Sequence, residues 1–248
     1  MHTETQFLTL TYDNEHLPQW PHSLDKNEHR KFIKRLRRAY PEKYIRYYHC
    51  GEYGEPTYEN NYIARPHFHT LIFGHEFTDL VMWDEEEGII TYTSKIADEI
   101  WQKGRVICGE LTHMSAGYVS RYCLKKINGE AANAHYEKTN PTTGEIRSIQ
   151  PEYATMSRRP GIAKAWYDKY KPDVFPSDMV VLNNGTKVKT PRYYDKLLEQ
   201  FDPRIYSNIK KTRVIDAEKK SKDSTRKRLA TREIVKKAQL NQLQRNKI

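Results

Sequence analysis

The chain is organised around one stretch in which residue types alternate, Arg65-Pro66-His67-Phe68-His69-Thr70-Leu71-Ile72-Phe73. On an extended strand, side chains two residues apart share a face and lie about 7 Å from each other. His67 and His69 should therefore point to one face, while Phe68 and Ile72 point to the other. Two imidazoles on one strand face can bind a single metal ion, and the second face is apolar enough to be buried.

Charge divides the chain into two regions. Its 248 residues can bury one good core with an appended segment, and a charged content of 30% indicates that part of the chain is solvated. The net charge is +10, yet residues 204–248 alone carry +11 and residues 1–203 carry −1. We therefore expect a domain over 1–203, of which 129–203 is a C-terminal elaboration, and a basic tail over 204–248 that is helical or disordered.

Cysteine use and hydropathy predict a soluble intracellular protein. The three cysteines form no C-x-x-C pair, and an odd number suits a reducing cytosol. No run approaches the roughly 18 apolar residues of a membrane span, and the first residues lack the order of a signal peptide. These features favour a protein without membrane association.

The hydrophobic pattern predicts an α+β fold with a central antiparallel sheet flanked by helices. Residues 84–87 and 129–157 are expected to be loops, with a turn at 140–144. The element order is typical of a split β-α-β arrangement of the ferredoxin-like or RRM-like kind. Strands are predicted at 6–12, 43–50, 65–73, 89–92 and 105–112, and helices at 26–40, 94–101 and 115–127. Beyond residue 157 we predict helices at 162–170 and 191–201, and a hairpin at 179–189.

A carboxylate near the end of the second strand is the expected third metal ligand. If the second and third strands are antiparallel neighbours, Glu52 can approach His67 and His69 across the sheet. Two imidazoles and one carboxylate with open positions suit Mg²⁺ or Mn²⁺, although imidazole would also suit Zn²⁺. Glu55 is the alternative third ligand.

Two tyrosines on the predicted third helix are candidate nucleophiles. Tyr118 and Tyr122 are four residues apart, so their side chains share one face about 6 Å apart along the axis. The same spacing is also common in packing pairs, and the chain has 18 tyrosines. A phenol with a pKa near ~10 is a poor nucleophile at neutral pH unless a metal ion polarises the phosphate. Lys125 and Lys126 lie within a turn of Tyr122 and can steady a phosphate or phenolate.

Three blocks in this order resemble the motifs of the HUH endonucleases that start rolling-circle replication. They are Phe7–Tyr12, Pro66–His69 and Gly117–Lys126. The two-tyrosine third block resembles the proteins of the microviruses, which are isometric single-stranded DNA phages. Met156–Ile162 and Pro191–Leu198 are similar to the initiators of their gokushovirus branch.

The resemblance implies a specific chemistry. His67 and His69 would hold a divalent cation, and a tyrosine of the third block would attack one phosphodiester at the replication origin. The products would be a 5′-phosphotyrosyl link and a free 3′-OH that primes synthesis. The second tyrosine would serve the next cleavage and allow the displaced circle to be rejoined. Residues expected to contact the DNA are Arg65, Arg121, Arg158 and Arg159.

The expected partner is single-stranded origin DNA, in the cytoplasm of a bacterial host. The sequence has no G-x-x-x-x-G-K-[ST] motif, so unwinding is expected from a host helicase and synthesis from a host polymerase. Two alternatives remain open at this point. One is a plasmid replication initiator or mobilisation relaxase with the same chemistry. The other is a non-catalytic nucleic-acid-binding module, which would leave the histidine pair unexplained.

Overall fold

The computed structural model describes residues 1–56, 64–86, 88–121 and 126–242. The chain forms two compact units, one from His2 to Ile162 and one that begins at Ala163. None of the helices in the described ranges combines the length and apolar character that crossing a bilayer requires.

The first unit is built on a seven-stranded sheet in which every ladder is antiparallel. The strands are β1 (Thr5–Thr11), β2 (Arg46–Tyr53), β3 (Pro66–Phe73), β4 (Leu80–Glu86), β5 (Ile89–Ser94), β6 (Val106–Gly109), β7 (Glu137–Thr139), β8 (Ile146–Ser148) and β9 (Tyr153–Met156). The sheet order is β4-β5-β6-β1-β3-β2-β9, and β7 with β8 forms a separate hairpin. The helices are α1 (Lys26–Ala39), α2 (Lys95–Trp101), α3 (His113–Arg121) and α4 (Ala131–Tyr136). This mixed architecture confirms the predicted α+β class.

The two faces of β3 are buried in different ways, as its alternation predicts. Phe68 and Ile72 lie in the larger core with the apolar side of α1, which contributes Phe32 and Leu36. Leu71 lies on the opposite face, in a smaller cluster with residues of α3. The histidines share that second face, so helix α3 covers the side of the sheet on which the candidate metal site lies.

The start of α1 follows its local sequence signals. The carboxylate of Asp25 accepts a hydrogen bond from the backbone N–H of Asn27 at 2.8 Å, which caps the helix where the sequence predicts. Tyr40 is the C-cap residue, one position before Pro41, and a helix is expected to end just before a proline.

Three predicted elements were wrong in extent. Residues 84–86 belong to strand β4 rather than to a loop, because pairing with β5 overrides the weak strand propensity of carboxylates whose side chains are solvated. The segment 129–157 holds a helix, a hairpin with its turn at 140–144, and the edge strand β9. Helix α3 is described only to Arg121, and residues 126–128 are not helical, so the predicted helix does not continue to 127.

The second unit does not divide where charge alone suggested. Its elements are α5 (Lys164–Val174), β10 (Met179–Val181), β11 (Lys187–Lys189), α6 (Arg192–Phe201), α7 (Pro203–Lys219), a 3₁₀ turn (Ser221–Ser224) and α8 (Arg226–Asn241). Ile209 of α7 is buried with Leu198 of α6 and Tyr167 of α5. The first part of the basic segment is therefore packed, whereas no residue of α8 is buried.

Candidate metal centre and nucleophile

The three predicted metal ligands meet on one face of the sheet. Glu52 on β2 lies directly opposite His67 on β3, and His69 lies two residues further along the same face. The Glu52 oxygen Oε1 is 2.8 Å from His67 Nε2 and 2.9 Å from His69 Nε2. The two imidazole rings are nearly perpendicular, with centroids 4.9 Å apart. Antiparallel pairing of β2 and β3 thus brings together residues that are 15 and 17 positions apart in the sequence.

A second set of hydrogen bonds orients the imidazoles. His67 Nδ1 donates to the backbone carbonyl of Arg65 at 3.2 Å, and His69 Nδ1 lies 3.0 Å from the hydroxyl of Thr9 on β1. A carbonyl oxygen only accepts, so the proton of a neutral His67 ring resides on Nδ1 and the lone pair of Nε2 faces Glu52. Partners of this kind commonly hold metal-ligating histidines in place.

The donor set fits a divalent cation. Each of the three residues offers one ligand atom, and these atoms all lie within 4.8 Å of one another. The two carboxylate–imidazole distances are near the ~3 Å that separates adjacent ligands bound about 2.1 Å from one ion. Two nitrogen lone pairs directed at one carboxylate oxygen require a cation or an added proton between them. Glu52 and His69 are buried and His67 is partly exposed, so the site opens on the side of His67.

The carboxyl group of Glu52 is held in its ionised form. Burial by itself disfavours the charge, but hydrogen bonds from His67 and His69, together with their positive charge, lower the pKa of Glu52 to about 2. An ionised carboxylate is the form that coordinates a hard cation. Glu55, the alternative ligand, is exposed and lies outside this group of three.

Tyr118 lies beside the histidines. Helix α3 packs Tyr118 and Val119 into the cluster that contains Phe7 and Leu71. The Tyr118 ring is edge-on to His69, with centroids 5.5 Å apart, and edge-on to Phe7 at 6.4 Å. Only 7% of Tyr118 is exposed, so α3 fixes this ring against the metal-facing side of β1 and β3.

The other residues predicted for catalysis are less well defined. Tyr122 and Lys125 lie outside the described residues. Lys126 is exposed and lies just beyond that segment. The next residue, Ile127, donates its backbone N–H to the hydroxyl of Tyr136 at 3.0 Å, and that hydroxyl donates in turn to the carboxylate of Glu152 at 2.6 Å. The chain that follows the candidate nucleophiles is therefore anchored to buried groups.

The four arginines predicted to contact DNA do not form one patch. Arg65 donates to the side chain of Asn14 and to the carbonyl of Tyr12, which ties the start of β3 to the end of β1. Arg121 is partly exposed at the end of α3. Arg158 and Arg159 follow β9, where Ser157 bonds to Tyr47 at the end of β2 remote from Glu52.

One residue of the site was missed from the sequence. Thr9 bonds to His69 because β1 and β3 are paired with these two residues opposite each other. The alternation Phe7-Leu8-Thr9-Leu10-Thr11 places Thr9 and Thr11 on one face of a strand, and this was the available signal. It became informative only once the partner strand and the register were known.

Comparison with known proteins assigns the matched region to replication. A family model described as Replication-associated protein ORF2 matches residues 5–127, which include Glu52, His67, His69 and Tyr118. The chain is 33% identical over 209 residues to the Replication-associated protein VP4 of Bdellovibrio phage phiMH2K, covering 79% of this chain and 58% of the relative. It is 31% identical over 206 residues to the Replication-associated protein ORF2 of Spiroplasma virus 4, covering 78% of this chain and 58% of the relative.

A third relative agrees with the first two. The Replication-associated protein ORF4 of Chlamydia phage 1 is 28% identical over 225 residues, covering 85% of this chain and 51% of that protein. The chain thus spans a little over half the length of the curated relatives it matches. No solved structure matches it.

Proposed function

The chain belongs to the family of phage replication-associated proteins described by the ORF2 family model, and from this premise we propose that it nicks one strand of origin DNA to start rolling-circle replication. The observation that carries the proposal is the position of Tyr118, whose ring lies 5.5 Å from that of His69. A phenol next to a Glu-His-His cation site is the combination that phosphodiester attack by tyrosine requires.

The residues of the site have distinct tasks in this proposal. Glu52, His67 and His69 would hold Mg²⁺ or Mn²⁺, which when bound polarises the scissile phosphate. Thr9 and the carbonyl of Arg65 keep the imidazoles oriented. Burial of His69 and Glu52 limits access of water to the ligands and leaves the side of His67 for the phosphate.

The bond changes balance without hydrolysis. The Tyr118 oxygen forms a bond to phosphorus, the bond from phosphorus to the 3′ oxygen breaks, and the phenolic proton ends on the released 3′-OH. Because one phosphodiester replaces another, the step conserves the energy of the link and is reversible. A 3′-OH that attacks the phosphotyrosine regenerates the DNA bond, which would rejoin a displaced circle. Tyr122 would be the second nucleophile and Lys125 and Lys126 the cations that stabilise the phenolate.

The product defines the partners that the reaction needs. A free 3′-OH is extended by a polymerase, and the displaced strand must be unwound by a helicase, which we propose are those of the host cell. The relatives are proteins of a Bdellovibrio phage, a Spiroplasma virus and a Chlamydia phage, which supports a phage context over a plasmid or mobilisation context.

A cleavage assay tests the proposal. The protein is incubated with single-stranded DNA tiled from the phage genome, with Mn²⁺ or Mg²⁺ or with EDTA. We expect a covalent protein–DNA adduct only with metal, and peptide mapping by mass spectrometry should locate it on Tyr118 or Tyr122. Cleavage that leaves no adduct, or an adduct on another residue, would show that the proposed chemistry is wrong.

A further inference from the structure

A row of residues crosses the sheet on the face that carries the metal site. Glu52 on β2 is opposite His67 on β3, and His67 is opposite Thr11 on β1. Thr11 in turn bonds to Arg105, because its N–H and its hydroxyl both donate to the Arg105 carbonyl at 3.0 Å. Residues directly opposite in antiparallel strands point to the same face, so Arg105 shares the face of His67.

The row ends in an exposed aromatic residue. The guanidinium carbon of Arg105 lies 4.1 Å from the ring centroid of Trp83, which occupies the β-bulge of β4 between Met82 and Asp84. A bulge redirects the side chain of its extra residue, and here the indole meets Arg105. Trp83 is 52% exposed although it is the largest kind of apolar side chain, and Arg105 is exposed as well.

The surface between this pair and the metal site is open and carries hydroxyl groups. Thr9, Thr11 and Thr93 lie on this face and are only partly buried. Helix α3 packs against the rows of Phe7 and Leu71, nearer the other ends of β1 and β3. The Cα atom of Arg105 is two strand spacings from that of His67, or about 10 Å. A flexible polymer bound at the cation site would therefore reach the Trp83–Arg105 pair.

From this geometry we infer that Trp83 and Arg105 form a subsite for single-stranded DNA beside the reacting phosphate, with a base stacked on Trp83 and a phosphate paired with Arg105. The inference rests on the proposed function for the position of the reacting phosphate. An aromatic ring next to an arginine, in line with a phosphate-binding cation, suits a polymer of alternating bases and phosphates. Stacking is tolerant of sequence, so the subsite would hold the strand rather than read it.

Nearby carboxylates limit where the DNA backbone can run. Asp84 and Glu86 follow Trp83 towards the end of the β4–β5 hairpin, and both are exposed. They would repel phosphates placed beyond Trp83. The backbone should therefore remain on the side of Arg105 and the threonines, and Trp83 should contact the last base held on this side of the metal site.

The test measures binding without catalysis. The full chain is titrated in EDTA with a thymidine homo-oligonucleotide and followed by tryptophan fluorescence and by anisotropy of the labelled DNA. Trp83→Ala should weaken binding about 5- to 100-fold and remove most of the fluorescence quenching, whereas Trp83→Phe should retain most of the affinity. Arg105→Ala should lower the slope of log K against log salt by about 0.7, and Arg105→Lys should preserve that slope.

Met82→Ala is the matched control. Met82 is a neighbour on the same strand and is 57% exposed, but it pairs with Tyr92, which lies on the opposite face of the sheet with the main core. This variant should bind DNA like the parent. If Trp83→Ala and Arg105→Ala also bind like the parent, the subsite does not exist, whatever the outcome of the nicking assay. If Trp83→Ala changes only self-association in sedimentation, the indole is a protein contact and the inference is overturned.

The same assay separates this inference from the proposed function. Binding in EDTA needs neither the metal nor a tyrosine nucleophile, so loss of binding in Trp83→Ala supports the subsite even if no adduct forms. Conversely, adduct formation with unchanged binding in the Trp83 and Arg105 variants would keep the nicking proposal and remove the subsite.

Discussion

Glu52 lies directly opposite His67 in the ladder between β2 and β3, and its oxygen Oε1 is 2.8 Å from His67 Nε2. The same oxygen is 2.9 Å from His69 Nε2, so one carboxylate oxygen faces two imidazoles. These contacts depend on register, because a shift of one residue would turn Glu52 to the other face of the sheet. The candidate metal centre is therefore a consequence of strand pairing.

The cation site should be testable by removing its ligands. Replacing His67 and His69 together by Ala should abolish nicking and leave most DNA binding intact, because binding is largely an effect of phosphate charge. Glu52→Gln should also abolish nicking, since a neutral amide is a poorer ligand for a hard cation. Cleavage with Mn²⁺ and anisotropy in EDTA measure the two properties separately.

Thermal stability gives a second readout of the same site. A ligand at a hundredfold excess over its Kd stabilises the folded state by about 2.7 kcal/mol, so Mn²⁺ should raise the Tm of the parent. The rise should be lost in Glu52→Gln and retained in Glu55→Gln, because Glu55 is exposed and outside the cluster. An undiminished rise in Glu52→Gln would remove Glu52 from the ligand set.

Arg213 should stabilise the second unit in a pH-dependent way. Its guanidinium donates to the carboxylates of Asp178, at 2.6 Å, and Asp195, at 2.8 and 2.9 Å. Arg213→Met should lower the free energy of unfolding by about 1–3 kcal/mol near neutral pH, because two carboxylates lose a partly buried counter-charge. Urea unfolding followed by tryptophan fluorescence measures the loss, and Arg204→Met, an exposed position on the same helix, is the control.

The sign of the pH effect follows from Asp195. The hydrogen bond from Arg213 lowers the pKa of Asp195 below its usual value, so the stabilisation is present above about pH 4 and is lost as the pH falls towards the folded pKa. The difference in stability between the parent and Arg213→Met should therefore shrink in acid. A difference that stays constant from neutral pH to about pH 3 would contradict this account.

Local patterns predicted the elements that bury one face. The alternation around His67 and His69 predicted the strand β3, and the capping signal at Asp25 predicted the start of α1. The ligand Glu52 was predictable because β2 and β3 are neighbours both in sequence and in the sheet. In each case the information lies within a short segment and its immediate neighbour.

The features that were missed depend on distant pairing or on solvated strands. Thr11 and Arg105 are 94 residues apart, and no local periodicity indicates that they are bonded. Strand β4 has only exposed residues, so it lacks the alternation that marks a half-buried strand. The packing of Ile209 was also missed, because the basic composition of the segment around it hid the one side of α7 that is buried.

Helix α8 should contribute charge to DNA binding but not to chemistry. Residues 221–248 carry nine Lys/Arg and two Asp/Glu, and no residue of α8 is buried. Deleting 221–248 leaves Ile209 and Arg213 in place, so the second unit should still fold. We expect weaker DNA binding with a shallower salt dependence, and nearly unchanged nicking of a saturating oligonucleotide. Equal affinity of the two proteins at every salt concentration would assign this segment to another role.

The two tyrosines should differ from packing residues in what they do on a circle. One nucleophile can nick, but it is occupied once it carries the 5′ end of the strand. Release of a unit-length circle requires a second nucleophile to cut the regenerated origin, so that the freed 3′-OH can attack the first phosphotyrosine. Phe removes only the hydroxyl and keeps the ring, which matters for Tyr118 because its ring packs against His69 and Phe7.

Tyr118→Phe and Tyr122→Phe should each retain some nicking of a short oligonucleotide, and the double variant should form no adduct. On a replicating circle each single variant should initiate but should terminate poorly, so that products longer than one unit accumulate on alkaline gels. Tyr136→Phe is the control, because Tyr136 is buried and bonds to Glu152 away from the cation site. If Tyr122→Phe nicks and circularises like the parent, a single nucleophile performs both cleavages and the proposed division of labour is wrong.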